Sequence, residues 1–548
     1  MAFASLLHHI WNHAVDCAEQ LTWWQTIVSF IIFCIMCSWL PGNGEMRAPF
    51  VGYRWPFEPT FWVRMRFIFQ SLGMMTEGYS KFKDSMFKIT TNDADWLVLS
   101  QRYLDDLQSL PAERLSHTDA LVTMWGSSHS PFALLNKSDL SSRALRDVVA
   151  PNYAKDLDSL VDELRYSLEH DIDIQDGMYA PIFQLILRSS CWLTGSMRLD
   201  WKPIDALELS SKLVLRISQR ILIGWPMSRD QELLECAQGY ADAATVVQFA
   251  LKLLPRQIRP LVYPLLPQAW ATKSWIRRCD KILAKEMQRR QVLEKSDPVY
   301  EKPKDLLQGM VDLEPSRPVD KLGHDFLVQA LISRMAPVVT MAQTLVDLAL
   351  HPEDIEELRD EVLQVIGPDG AGLGNLRQSF TKLDKMDSVL RESARFTPLS
   401  MMTMHRRVQD AKGITLHDGV HLPRGTHVAF PAYHIGRDPK LVSGADIYDG
   451  LRWYRKDLGE AQENEAPKHR FVTPDSNYLT FGSGKYVCPG RFIAEHMLKL
   501  MMTAVLLRYE FKWPPGVPVP EQQYRHVFAY PSKTTLLIKR RKDGDQIL

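Results

Sequence analysis

The chain has 548 residues, 45% of them hydrophobic, and its 65 Lys and Arg balance 65 Asp and Glu, so the formal net charge is zero. That composition supplies ample apolar surface for a large core, and nothing in it suggests nucleic-acid binding, which would favour a basic patch or stripe. Of the seven cysteines, only Cys34 and Cys37 have C-x-x-C spacing, and they lie in an apolar run with no second Cys or His pair nearby; this argues against a zinc site or a disulfide framework.

In chain order, the first predicted element is a membrane anchor. Leu21 to Leu40 is a run of 20 uncharged residues, about 30 Å long as a helix and so matched to a bilayer core. Trp23, Trp24 and Trp39 stand near its ends, where aromatic rings favour the membrane interface. The run is longer than the apolar core of a cleaved signal peptide, and no Lys or Arg precedes it. Arg47, Arg54, Arg64 and Arg66 follow it, which puts residues 1–20 outside as a short lumenal tail and the bulk of the chain in the cytosol. A cytosolic domain would leave the sequon at Asn136-Lys137-Ser138 bare. His8, His9 and His13 read as a solvated tail rather than a ligand set.

From about residue 80 the chain reads mainly helical, with apolar positions at helical spacing in Asp156 to Leu168 and Asp354 to Val365. Glu392 and Arg395, three apart, share a helix face; alone, such a pair is usually a solvated surface contact worth little. Between 406 and 430 short β-type runs, such as Val428 to Phe430, alternate with turns at Asp418-Gly419 and Pro423-Arg424-Gly425. Gly367 to Asn375 and the charged stretch Arg455 to Arg470 look like surface loops. No Pro/Ser-rich linker divides the chain, so one large, mainly α domain with a minor β region is expected over 45–548. Gly370 to Gly374 lacks the preceding strand of a dinucleotide site, and Gly482-Ser-Gly-Lys485 lacks the Ser or Thr of a phosphate loop.

Phe481 to Phe492 carries the most chemistry. Gly482, Gly484 and Gly490 surround Cys488 and permit backbone angles and close approaches denied to other residues. Pro489 suits the first turn of a helix, and an amphipathic run from Phe492 to Tyr509 follows. Cys488 is therefore expected at a helix N-terminus, where unpaired N–H groups and the helix dipole favour a thiolate. The bland alternative is an inert buried Cys, which explains the flanking glycines poorly.

The segment resembles the haem-binding loop of the cytochrome P-450 superfamily, with Phe481, Gly484, Cys488 and Gly490 at the family's positions. The resemblance covers roughly residues 45 to 540 and is strongest to fungal enzymes of terpenoid and alkaloid pathways, including those similar to ent-kaurene oxidase. It implies the cytochrome P-450 fold, with Cys488 as axial ligand to the iron of haem b. The thiolate pushes electron density towards O–O cleavage. It implies a structural triad of Glu392 and Arg395 with Arg452, and propionate contacts from Arg146 and Arg406. Tyr486 stands where the family usually has a basic residue, and Lys485 is the neighbouring substitute; Ser142 stands where a Trp is usual, before Arg146. Met401, Met402, Met404, Phe528 and Tyr530 are the implied pocket residues. Flexible methionines suit a bulky apolar ligand.

By the same resemblance the partners are dioxygen, an NADPH-dependent flavoprotein reductase, cytochrome b5, membrane lipid and an apolar small molecule, at the endoplasmic reticulum membrane with a single span. The activity implied is monooxygenation of a bulky apolar secondary metabolite. One feature departs from the family. The central helix, Asp325 to Leu350, should carry an acidic or polar residue followed by Thr for proton delivery, but holds Met335 and Ala336, then Pro337. Pro337 is expected to kink the helix, and Ser333 or Thr340 to offer a nearby hydroxyl. The departure keeps two alternatives open: radical coupling, desaturation or rearrangement, and a haem-binding protein without catalysis.

Overall fold

The computed structural model describes residues 48–541 apart from 126–130, 137, 156, 173–200, 368–370, 461–466, 520 and 530–533. The predicted anchor at Leu21 to Leu40, the histidines near the start and Tyr530 lie outside the described residues. The strands in chain order are β1 Phe50–Val51, β2 Met86–Thr90, β3 Asp95–Leu99, β4 Leu115–Ser116, β5 Lys202–Asp205, β6 Thr403–Val408, β7 Ile414–Thr415, β8 His421–Leu422, β9 His427–Phe430, β10 Tyr509–Lys512, β11 Tyr524–Arg525, β12 Phe528–Ala529 and β13 Thr535–Arg540. The longer helices are α1 Thr60–Phe82, α2 His117–Met124, α3 Leu157–His170, α4 Ala206–Ile223, α5 Gln231–Lys252, α6 Pro267–Ser296, α7 Gly323–Leu350, α8 Pro352–Ile366, α9 Asp384–Phe396, α10 Arg452–Glu460 and α11 Arg491–Arg508. Helix outweighs strand, as the sequence predicts.

Local chemistry sets the helix ends. Asp205 caps α4 by accepting the Leu207 N–H at 2.8 Å, and Asp230 caps α5 by accepting that of Leu233 at 2.8 Å. Gly367 closes α8 with φ +83°, a left-handed conformation that glycine adopts without strain.

One six-stranded sheet has the order β1-β2-β3-β9-β6-β4, and a three-stranded sheet the order β10-β13-β5. The larger sheet is buried on both faces. Trp96 and Val98 of β3 point into one core with Ala429, while Leu97 and Leu99 point into another with Val428 and Phe430, the alternation of a pleated strand. This accounts for β2 and β3 lying in a stretch that reads as helical. With both faces apolar, the strands show no polar alternation to separate them from a buried helix.

The main core is built around α7 and α11, which pack against each other. Among the described residues α7 alone is long and apolar enough to cross a membrane, but much of it is buried within this core. It runs unbroken across Pro337 from two residues before the expected start. The charged stretch from Arg455 also differs from expectation. It opens as the continuation of α10, because Trp453 is buried and donates from Nε1 to Glu392 at 2.9 Å.

Candidate active site

The loop before α11 is closed by backbone bonds. The Cys488 N–H donates to the Phe481 carbonyl at 2.9 Å, and the Ala494 N–H to that of Gly490 at 2.9 Å. Phe481 is fixed edge-on to Phe471, ring centroids 5.0 Å apart. Gly484 has φ +66°, and a Cβ there would stand 2.4 Å from the Gln108 carbonyl oxygen, so only glycine fits. Gly490 differs from expectation: its φ of −87° is open to any residue, and a Cβ there would sit 4.0 Å from the Cys488 sulfur, in ordinary contact. Pro489 precedes the N-cap Gly490 instead of occupying the first helical turn.

Cys488 is half-buried just ahead of α11. Burial pushes its thiol above the ordinary range, against the pull of the Gly490 and Arg491 backbone N–H groups and the Arg491 charge. The helix-terminal amides and the Arg491 charge pull towards the thiolate, as the sequence predicts, and a metal cation deprotonates a thiol that it binds. Among the described residues no group of three or more His, Cys, Asp and Glu is placed to hold a metal ion. A single Cys sulfur at the head of a helix is the protein donor that a haem-thiolate centre needs, the iron's remaining ligands being the macrocycle's. The residues fit a haem in this respect.

Glu392, Arg395 and Arg452 meet in one network. The Glu392 carboxylate accepts from Arg395 at 2.6 and 2.8 Å and from Arg452 at 3.1 Å. Arg395 also donates to the Gly436 and Ala445 carbonyls. Glu392 and Arg395 are fully buried, so this is a desolvated network rather than a surface pair. On α11, Lys499 donates to Asp387 of α9 at 2.6 Å, which ties the loop's helix to the triad's helix.

Arg406 is buried on β6, donates to the His405 carbonyl at 2.8 Å and lies 2.7 Å from Nδ1 of His117 at the start of α2. Burial and the Arg406 charge lower His117 to about 4, so its ring is neutral at pH 7. Lys485 is exposed in the loop. Arg146 is exposed too and makes a two-toothed contact with the neighbouring Asp147 at 2.7 and 2.9 Å. The structure therefore brings a cation and a neutral histidine together at Arg406, and places Arg146 at the surface.

Met401 and Met402 are buried with Val527, and the partly buried Phe528 packs against the same cluster. Met404 packs into the other face of the sheet with φ +52° and does not join them. Trp125, which sequence reading missed, packs 4.3 Å from Phe132 and 5.2 Å from Phe528 between ring centroids. No spacing rule flags Trp125 or His117, because each meets its partners only through the fold.

Comparison with known proteins accords with this geometry. A family model described as Cytochrome P450 matches residues 193–538. The chain is 96% identical over 548 residues, all of both chains, to a cytochrome P450 monooxygenase named ltmJ from Epichloe festucae var. lolii. It is 39% identical over 530 residues, 95% of both chains, to the cytochrome P450 monooxygenase terK of Tolypocladium album. It is 28% identical over 503 residues to the ent-kaurene oxidase of Fusarium fujikuroi, covering 90% of this chain and 88% of that one.

Proposed function

The chain belongs to the cytochrome P450 family and is a monooxygenase, and from that premise we propose that it oxidises a bulky apolar terpenoid or alkaloid in fungal secondary metabolism. The observation that carries this is the Cys488 loop, closed onto Phe481 and set at the head of a helix packed on α7. Haem b, when bound, supplies the metal centre at which dioxygen is activated with electrons from NADPH through a reductase, assisted by cytochrome b5.

The chain's own residues do the holding and orienting. Cys488 would ligate the haem iron, with the Gly490 and Arg491 amides directed at its sulfur. Arg406 with His117, and Lys485, are the groups that would hold the anionic edge of the macrocycle; Arg146 would first have to leave Asp147. The buried triad fixes the segment from Gly436 to Trp453 against α9. Phe528 and Trp125, both partly buried and in ring contact, offer an aromatic wall for an apolar polycyclic substrate, whereas Met401 and Met402 are fully buried in the core beside Phe528. The ent-kaurene oxidase relatives support the substrate class.

We read Leu21 to Leu40 as a single-pass anchor in the endoplasmic reticulum membrane, with residues 1–20 lumenal and the domain from 45 onward cytosolic. Trp55, Phe57, Trp62 and Phe69 are all more than half exposed just after it, which supports an apolar surface beside a bilayer.

A second reading is favoured by Met335, Ala336 and Pro337, which offer no side-chain proton donor: coupling, desaturation or rearrangement. Deleting the gene and weighing the metabolites decides between them. A lost product one oxygen heavier than the accumulated precursor supports monooxygenation of that substrate; one two hydrogens lighter, near twice the mass, or isomeric supports the second reading. In parallel, Cys488→Ser is expected to lose the red-shifted carbonmonoxy band of a thiolate-ligated haem. Retention of that band would overturn the assignment of Cys488.

A further inference from the structure

A cavity of about 460 Å³ runs along α7 and is lined there by Val339, Ala342, Gln343, Val346, Asp347 and Leu350. Its rim holds Val519, Glu521 and Gln523, all exposed; its floor holds Asp347, only 4% exposed. Asp347 Oδ1 accepts from Gln343 Nε2 at 2.8 Å. Oδ2 is buried without a hydrogen-bond partner among the described residues, and a buried polar atom beside a cavity that Gln343, Thr397 and Arg437 also line is a place for water.

The positions 347, 343, 340 and 336 succeed one another at steps of four, three and four, so they share one face of α7. Asp347 lies about 16 Å along the axis from Ala336, too far for direct contact. Gln343 and the Thr340 hydroxyl stand between, and the cavity reaches Val339, within one turn of Ala336. Pro337 has no N–H to give the Ser333 carbonyl one turn back, which leaves a further acceptor near the helix centre.

We propose that Asp347, acting through Gln343 and water in this cavity, is the positioning residue that supplies protons to the middle of α7 in place of the acid–alcohol pair missing at Met335 and Ala336. The proposal rests on the monooxygenase reading above. The step is a proton transfer alone: the carboxyl O–H bond of Asp347 breaks as an O–H bond forms on cavity water. The carboxylate regains its proton from solvent at the rim, and no electrons move at Asp347.

The surroundings suit that exchange. Burial pushes Asp347 up to about 7, against the downward pull of Ser393, Gln343 and His351, while Glu392 pushes it further up. Arg437 and Tyr448 are the other charged or titratable groups within its field. An acid near neutrality both releases and recovers a proton at working pH.

The test uses the full-length, haem-loaded enzyme with its reductase and the precursor that accumulates in the deletion strain. In Asp347→Asn and in Gln343→Leu, product formed per NADPH is expected to fall at least about tenfold, with peroxide rising and the carbonmonoxy band kept. Independently of turnover, the infrared spectrum of the resting enzyme should contain a protonated-carboxyl band that shifts in heavy water, titrates near pH 7 and vanishes in Asp347→Asn. Unchanged coupling in both variants, or no such band, overturns the relay. A wild-type enzyme without the thiolate-type carbonmonoxy band would instead overturn the monooxygenase reading, and the infrared arm would still decide Asp347.

Discussion

Arg259 and Asp93 meet 2.8 Å apart with side chains 0% and 1% exposed, although 166 residues separate them in the chain. Lys252 joins them at 3.0 Å, and Arg259 also donates to the Asn92 carbonyl at 2.9 Å. The contact clamps the end of α5 and the segment after it onto the β2–β3 turn. Burial alone would raise the Asp93 carboxyl, but Lys252, Arg259 and His526 outweigh it and hold it below the ordinary range.

Asp93→Asn should therefore destabilise the protein by about 3–5 kcal/mol, because buried cations lose their counter-charge. Denaturant unfolding at neutral pH measures this, and limited proteolysis should cut more readily between 253 and 266. In the wild type this contribution is present above the ordinary carboxylate pKa and is lost as pH falls through the depressed one. A neutral-pH loss below about 1 kcal/mol would mean that the clamp contributes little.

Glu392→Gln should leave Arg395 and Arg452 facing a neutral amide in a desolvated site. A cost of about 3 kcal/mol or more is expected, with loss of haem during expression. Haem content per protein, read with the carbonmonoxy band, checks it. A variant with full haem and unchanged unfolding would remove the triad from the account of stability.

Gly484→Ala should fail at the loop. The new Cβ meets the Gln108 carbonyl oxygen at 2.4 Å with φ +66°, and the left-handed conformation by itself costs about 1–2 kcal/mol. Haem occupancy should fall, whereas Gly490→Ala, at φ −87° with ordinary contacts, should be tolerated far better. Equal loss in both would count against this reading of the loop.

His434 links α1 to the segment after β9. Its Nε2 lies 3.0 Å from the Thr76 hydroxyl, and Tyr79 stacks on it at 5.3 Å. Burial, then the Arg437 charge, lowers it to about 3. The folded protein thus excludes a proton that the unfolded chain binds below pH ~6.5. Stability should fall as pH drops from there towards the folded value, by up to about 1.4 kcal/mol per pH unit from this group. His434→Gln should flatten the curve by that amount across the acid range, as unfolding free energies at several pH values will show.

Some of this was legible before any fold was known. The glycine-flanked turn at Cys488 stood out because a tight turn needs residues close in sequence, and local spacing records that need. The Glu392–Arg395 spacing put both residues on one helix face, since helix geometry is local, and the α7 boundaries followed from the apolar run before His351. The strands β2 and β3 escaped, because burial on both faces erases the alternation that identifies a strand.

The sequence by itself determined the class of domain, the cysteine, and the Met335–Ala336–Pro337 gap where a proton donor is usual, all matters of local order along the chain. Only the tertiary structure decided that Arg146 turns to Asp147 while Arg406 turns inward to His117, that Arg259 neutralises Asp93, and that Asp347 lines a cavity whose other end on α7 is Val339. Those outcomes depend on burial and on partners hundreds of residues away. An isolated arginine or aspartate carries no mark of the dielectric it will occupy or the charge it will meet.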